Sequence, residues 1–202
     1  ADSYNREVGR SVLAGPMFGW DSAQMERLNS LRNRLTIRYS SLHGIMDAVE
    51  APQRQALQGV EQEFGVGLLY GTRHFGRYSH EVILVDASNP RREAVESFKY
   101  FIWRNYGIDC GRYQHDAEFN LYFAIAQPLF AAVRALGMEA DLAPEGKLIL
   151  AHEWLGMPLV FAAQMTEPGQ WRTVFYAHEV ATARRLVEEH NGHDTRFYNA
   201  LK

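Results

Sequence analysis

The chain has 202 residues, of which 47% are hydrophobic, 12% aromatic and 22% charged, with a formal net charge of −3 and a single cysteine. One domain with a sizeable core is expected, and disorder is excluded by the supply of apolar side chains. Cys110 has no partner for an intrachain disulfide, no run approaches the ~20 apolar residues that span a bilayer, and the negative balance argues against nucleic acid as the main partner.

The chain begins at Ala1 with no signal-peptide pattern and stops at Lys202, soon after Phe197-Tyr198-Asn199. It reads as a piece of a longer protein. With nothing to direct it elsewhere and with a free thiol, a cytoplasmic location is expected, with no membrane partner.

Taken in chain order, residues 11–14 form a short strand that runs into Gly15-Pro16. Asp21 or Ser22 caps a helix with Met25, Leu28 and Leu31 on one face; that helix and its continuation carry Arg27, Arg32, Arg34 and Arg38. A solvated face explains these arginines better than a phosphate site does. Pro52 opens a helix over residues 53–64, because a missing N–H costs nothing in a first turn, and Gly65 stops it. Residues 66–70 and 81–86 are apolar strands, closed by Gly71 and by Asn89-Pro90. Residues 93–106 form a helix stopped by Gly107. Residues 116–136 form a long helix closed by Gly137, with Pro128 expected to kink it. Then follow a strand at 147–151, a helix at 156–164, a strand at 172–177 and a helix at 181–190. Apolar strands joined through helices read as buried parallel strands. The expected architecture is an α/β, Rossmann-like three-layer sandwich with a mostly parallel sheet, in which ligands sit at the carboxyl ends of the strands.

Three constellations are set aside. Gly65-Val-Gly67-Leu-Leu-Tyr70-Gly71 precedes a strand, whereas a dinucleotide-binding glycine loop follows one, so a nicotinamide cofactor is not expected. His190, His193 and Asp194 fit a metal site only loosely, and a helix-end loop explains them. No base is placed to activate Cys110.

Ala151-His152-Glu153-Trp154-Leu155-Gly156 is the strongest candidate. An apolar strand delivers His152, Glu153 and Trp154 together at its carboxyl end, and Gly156 lets the chain turn into a helix. A carboxylate accepts hydrogen bonds from sugar hydroxyls, an imidazole donates to a hydroxyl or phosphate oxygen, and an indole offers an apolar platform to a sugar ring. A plain helix start, with Glu153 favoured by the dipole and Trp154 in the core, explains the same residues equally well. The geometry repeats at His178-Glu179, followed about two turns on by Arg184-Arg185, one of which is placed to face an anion. Adjacent parallel strands would bring the His152 and His178 corners side by side.

At these corners the chain resembles the glycogen synthases of the eukaryotic type, glycosyltransferases with the GT-B fold. The matching segments occur in the family's order: Leu13-Ala-Gly15-Pro16, Leu68-Leu-Tyr70-Gly71 with Arg73 displaced by one, residues 82–86 ending in Asp86, the Trp103 helix, His115-Asp116-Ala117, His152-Glu153-Trp154-Leu155-Gly156, Thr173-Val-Phe175-Tyr-Ala-His178, Arg184, and Phe197-Tyr198-Asn199. The family's first cleft histidine has no match, since Leu150-Ala151 precedes His152.

The resemblance implies a retaining glycosyltransferase that moves a sugar, typically glucose, from a nucleotide-sugar such as UDP-glucose or ADP-glucose onto a glucan or other hydroxyl acceptor. No metal and no further cofactor is implied. The catalytic residues carried over are His152 beside the reacting centre, Glu153 on sugar hydroxyls, and Arg184 facing phosphate. The substrate-binding residues are Asp116, Trp154 and His178. The chain is then one acceptor-side N-terminal domain, residues 1–202, without the family's first strand and glycine loop and without the C-terminal nucleotide-sugar domain that would be its partner. Such a fragment is expected to be inactive alone, and an exposed sheet edge would favour a homo-oligomer. The alternative class is a non-catalytic carbohydrate- or nucleotide-binding module.

Overall fold

The computed structural model describes residues 8–17, 26–28, 30, 35–75, 78–138, 142–143 and 146–177. Six strands and four α-helices lie among them: β1 Val12–Pro16, β2 Leu35–Ser40, α1 Ala51–Phe64, β3 Gly67–Phe75, β4 Tyr78–Asp86, α2 Arg92–Tyr106, α3 Ala117–Ala135, β5 Leu148–His152, α4 Glu153–Thr166 and β6 Arg172–Tyr176. The class is α/β. β1 to β4 form one mixed sheet in the order β1-β4-β3-β2, and β5 pairs with β6 in a second, two-stranded sheet.

The helix ends follow the local chemistry of the sequence. Pro52 sits in the first turn of α1, and Gly65 ends the helix at φ 66° with its N–H bonded to Glu61 O. Gly107 ends α2 in the same left-handed conformation, at φ 68°. A side chain at either place would meet the steric penalty that glycine avoids. α3 is continuous through Pro128, which is buried within it. The helix expected to carry Met25 is described only at residues 26–28, and the helix expected at 181–190 lies outside the described residues.

Three features differ from expectation. The run 67–86 is an antiparallel hairpin, with Gly67 opposite Asp86 and Phe75 opposite Tyr78. Both strands therefore continue past the apolar stretches into Thr72, Arg73, Ser79 and His80. Only β1 with β4 and β5 with β6 are parallel. The carboxyl terminus of β3 consequently lies at the opposite end of the hairpin from that of β4, which separates Arg73 from Asp86. Second, Arg38 lies on β2, not on a helix. It is the extra residue of a bulge, since Ile37 pairs with Gly71 and Tyr39 with Tyr70. Third, β6 is exposed along its whole length and β5 only alternates, so these two are not strands buried on both faces.

The strand period of two sorts the first sheet into faces. Tyr39, Leu68, Tyr70, Ile83 and Val85 face α1 and α3 and join Leu57, Ile125, Leu129 and Ala132 in one core. Met17 and Leu69 pack on the opposite face. Glu61 of α1 fixes that helix to the sheet by accepting from Tyr39 Oη at 2.7 Å, Ser41 Oγ at 2.6 Å and Leu68 N at 2.8 Å. A second core joins Phe98 and Ile102 of α2, Phe119, Phe123 and Phe130 of α3, Ile149 and Ala151 of β5, and Val160 of α4. α3 thus supplies side chains to both cores, as a helix that is apolar all round must.

Candidate functional site

The corner between β5 and α4 carries three of the residues singled out above. His152 ends β5 with extended backbone, at φ −82° and ψ 113°. Glu153 opens α4 at φ 55°, the one non-glycine residue with positive φ among the described residues. An L side chain in that region costs about 1–2 kcal/mol, and such strain persists only where the surroundings enforce it. The chain therefore turns at Glu153 itself. Gly156 has a different task from the turn expected of it: a Cβ there would lie 2.6 Å from Ala151 Cα and 2.9 Å from Ala151 C. The first turn of α4 folds back onto the end of β5 so closely that only glycine fits.

Neighbouring elements converge on this corner. In the parallel register His152 is opposite Tyr176, and the two rings lie 5.6 Å apart. Trp154 is half-buried against α3, 6.4 Å from Phe119 in a stacked arrangement and 6.2 Å from Tyr122 edge-on. Burial, reinforced by the Glu118 carboxylate, pushes the Tyr122 hydroxyl above its ordinary range. Asp116 caps α3, its Oδ1 accepting from Phe119 N at 2.9 Å. The structure thus brings His152, Glu153 and Trp154 together with the amino-terminal turn of α3 that Asp116 holds. His178, Glu179, Arg184 and Arg185 lie outside the described residues, as do His190, His193 and Asp194. The pairing of β5 with β6 does place the chain that leads to His178 beside the His152 corner.

The cap makes a structural demand on Asp116 that is independent of any ligand. Asp116→Ala is expected to lower stability by about 1 kcal/mol, whereas Asp116→Asn, also a good cap, is expected to stay close to wild type. Urea unfolding of the two variants reads the difference.

Cys110 is buried, and burial pushes its thiol up, which disfavours the thiolate a nucleophile needs. Among the described residues no group of three or more His, Cys, Asp or Glu is placed to hold a metal ion, and no helix is long and apolar enough to cross a membrane.

Sequence reasoning missed a polar cavity of about 490 Å³ at the far end of α3, lined by Arg10, Arg38, Glu50, Gln53, Tyr70 and Glu81 among others. Gln53 Nε2 donates to Leu136 O at 3.2 Å, and Leu136 is separated from Phe119 by roughly 25 Å of helix. Arg10 holds Glu81 with two donors, Nε to Oε2 and Nη2 to Oε1, the latter at 2.8 Å. Tyr70 Oη also donates to Glu81. The Arg38 guanidinium lies 5.5 Å from the centre of the Tyr70 ring. The available signal was an acid, Glu81, at the start of an apolar strand, with arginines on the preceding segments.

Burial pushes the Glu81 carboxyl up, but the bonds from Arg10 and Tyr70 and the charges of both arginines outweigh it and hold it below the usual carboxylate range. A depressed folded pKa contributes stability above the unfolded value and loses it as pH falls through the folded one. Between about pH 5 and pH 3 the wild type is therefore expected to lose more stability than Glu81→Gln, which has no carboxyl to protonate. Urea midpoints at both pH values check this; parallel losses in the two proteins would contradict it.

No protein-family model, curated protein or solved structure matches the chain.

Proposed function

We propose that the chain is the acceptor-side domain of a retaining glycosyltransferase of the GT-B type, one Rossmann-like half that works with a nucleotide-sugar domain. The reaction carries a sugar, taken as glucose, from a nucleotide-sugar to a glucan hydroxyl. The bond from the anomeric carbon to the diphosphate oxygen breaks, and a bond to the acceptor oxygen forms with the same configuration. The acceptor proton leaves with the diphosphate.

The observation that carries this reading is the β5–α4 corner. Glu153 takes a strained left-handed turn at the end of a strand, next to His152 and to an indole held against Phe119. In this reading Glu153 accepts from sugar hydroxyls, which fixes the ring relative to the departing group. His152 lies beside the reacting carbon, and Trp154 offers an apolar face to the sugar. Asp116, at the amino-terminal turn of α3, sits on the acceptor side. In this reading Arg184 would face phosphate and His178 would help shape the floor of the cleft. The transition state gathers negative charge on the diphosphate, and donors fixed in advance toward that charge supply the largest catalytic effect.

The test is a screen of the complete protein with labelled nucleotide-sugars and maltooligosaccharides, beside Glu153→Ala. Transfer that disappears in the variant supports the reading and identifies the donor. A folded protein that neither transfers from nor hydrolyses any donor overturns it, leaving a carbohydrate- or nucleotide-binding module.

A further inference from the structure

The polar cavity at the far end of α3 holds about 490 Å³, within the range of small-molecule pockets, about 300–1,000 Å³. Its charged walls are Arg10, Arg38, Asp47, Glu50 and Glu81. Two of the three carboxylates are already neutralised. Glu81 accepts from Arg10 and from Tyr70 Oη, and Asp47 pairs with Arg54 at 2.8 Å. Arg38 and Glu50 remain. Among the described residues neither forms an ion pair.

Arg38 is held in place without being neutralised. Its Nη2 donates to Ala48 O at 3.2 Å, and its Nη1 lies 3.5 Å from Tyr70 Oη. The guanidinium stands 5.5 Å from the centre of the Tyr70 ring. A long side chain fixed in this way has less freedom left to lose when a ligand arrives. Each Nη nitrogen keeps a second N–H, and a guanidinium fork matches the two oxygens of a carboxylate.

The bond to Ala48 O sets that fork beside the segment that leads into α1. Glu50 follows two residues on, at the amino terminus of α1, where its side chain makes no cap bond. The first-turn N–H groups of α1 therefore lack a side-chain acceptor, and their field favours a carboxylate. Gln53, on the same turn, gives its Nε2 to Leu136 O, which leaves Oε1 as an acceptor. The cavity thus offers a cation to a carboxylate and, close by, a carboxylate and an amide oxygen to an ammonium group. A ligand with one charge satisfies Arg38 or Glu50 and is repelled by the other. A ligand with both charges satisfies both.

We propose that this cavity binds a free α-amino acid, with its carboxylate on Arg38 and the amino terminus of α1, and its ammonium group on Glu50 and Gln53 Oε1. The site lies at the opposite end of α3 from the Glu153 corner and stands independently of any reaction there.

Calorimetric titration of the complete protein with each standard L-amino acid provides the test. The tightest binder is then compared with the same skeleton lacking its ammonium group and with the same skeleton lacking its carboxylate; for L-alanine these are propionate and ethylamine. Each half-molecule is expected to bind at least about tenfold more weakly than the amino acid. Glu50→Gln is expected to weaken the amino acid by at least about tenfold, while the deaminated acid binds the variant no more weakly than wild type. The preference for the zwitterion then collapses, and as a ratio measured within one protein it is not mimicked by a loss of folded material. Arg38→Gln is expected to weaken both carboxylate ligands together. Binding of no amino acid overturns the proposal. So does a deaminated acid that binds wild type as tightly as its amino acid, which would make the cavity a plain anion site. A preference for the zwitterion that survives in Glu50→Gln overturns it as well.

Discussion

Glu153→Gly and Glu153→Ala are both expected to lose sugar transfer, by at least about 10²-fold, yet to differ in stability. Each removes the carboxylate that would hold the sugar hydroxyls. They part company at the backbone, because residue 153 has φ 55°. Alanine retains the steric conflict between Cβ and carbonyl oxygen that a left-handed residue suffers, about 1–2 kcal/mol. Glycine escapes it, and gives back part of the gain through the extra freedom of its unfolded chain, about 0.5–1 kcal/mol. The glycine variant is thus expected to be the more stable by about 1 kcal/mol, a rise of about 2–4 °C in a chain of this size. Scanning calorimetry read beside the transfer assay checks both halves. Transfer retained in both variants would remove Glu153 from the site, and an alanine variant at least as stable as the glycine one would show that the turn is not strained.

Gly156→Ala is expected to cost about 3 kcal/mol, a large part of the stability of an ordinary domain. The added methyl would stand 2.6 Å from Ala151 Cα. That atom belongs to the backbone of β5, so no side-chain rotation makes room. Either α4 shifts away from β5, opening the core around Ile149, Ala151 and Val160, or the corner at Glu153 loses its geometry. Gly59→Ala is the control. Gly59 lies in α1 with open space where its Cβ would be, so there alanine's better helix propensity is expected to stabilise by up to about 1 kcal/mol. Urea unfolding of the pair separates a packing requirement from a general preference of helices. The same response at both positions would contradict the close approach.

The parts of the fold legible in the sequence were those decided within a few residues. Pro52, Gly65 and Gly107 marked helix boundaries because their backbone demands are local. Residues 82–85, apolar without interruption, announced the strand expected over 81–86. The hairpin between β3 and β4 was hidden because Thr72, Arg73, Ser79 and His80 are polar and gain their strand conformation from each other across the pair. Arg38 was misplaced because a bulge is a property of two strands in register, and no single segment carries its signature. At the candidate site, the grouping of His152, Glu153 and Trp154 followed from adjacency in the chain. The left-handed turn at Glu153 and the contact of Gly156 with Ala151 did not, because both arise only when α4 closes on β5. Tyr176 beside His152 and Phe119 beside Trp154 likewise depend on pairing and helix packing that lie beyond local pattern.

α3 contributes Ile125, Leu129 and Ala132 to one core and Phe119, Phe123 and Phe130 to the other. A two-stranded sheet such as β5–β6 is marginal by itself, so its persistence is borrowed from a helix that the larger sheet also needs. The two sheets therefore share one fate on unfolding. Among the described residues α3 is what couples the two cores, so damage at either of its ends is expected to lower the stability of both sheets together.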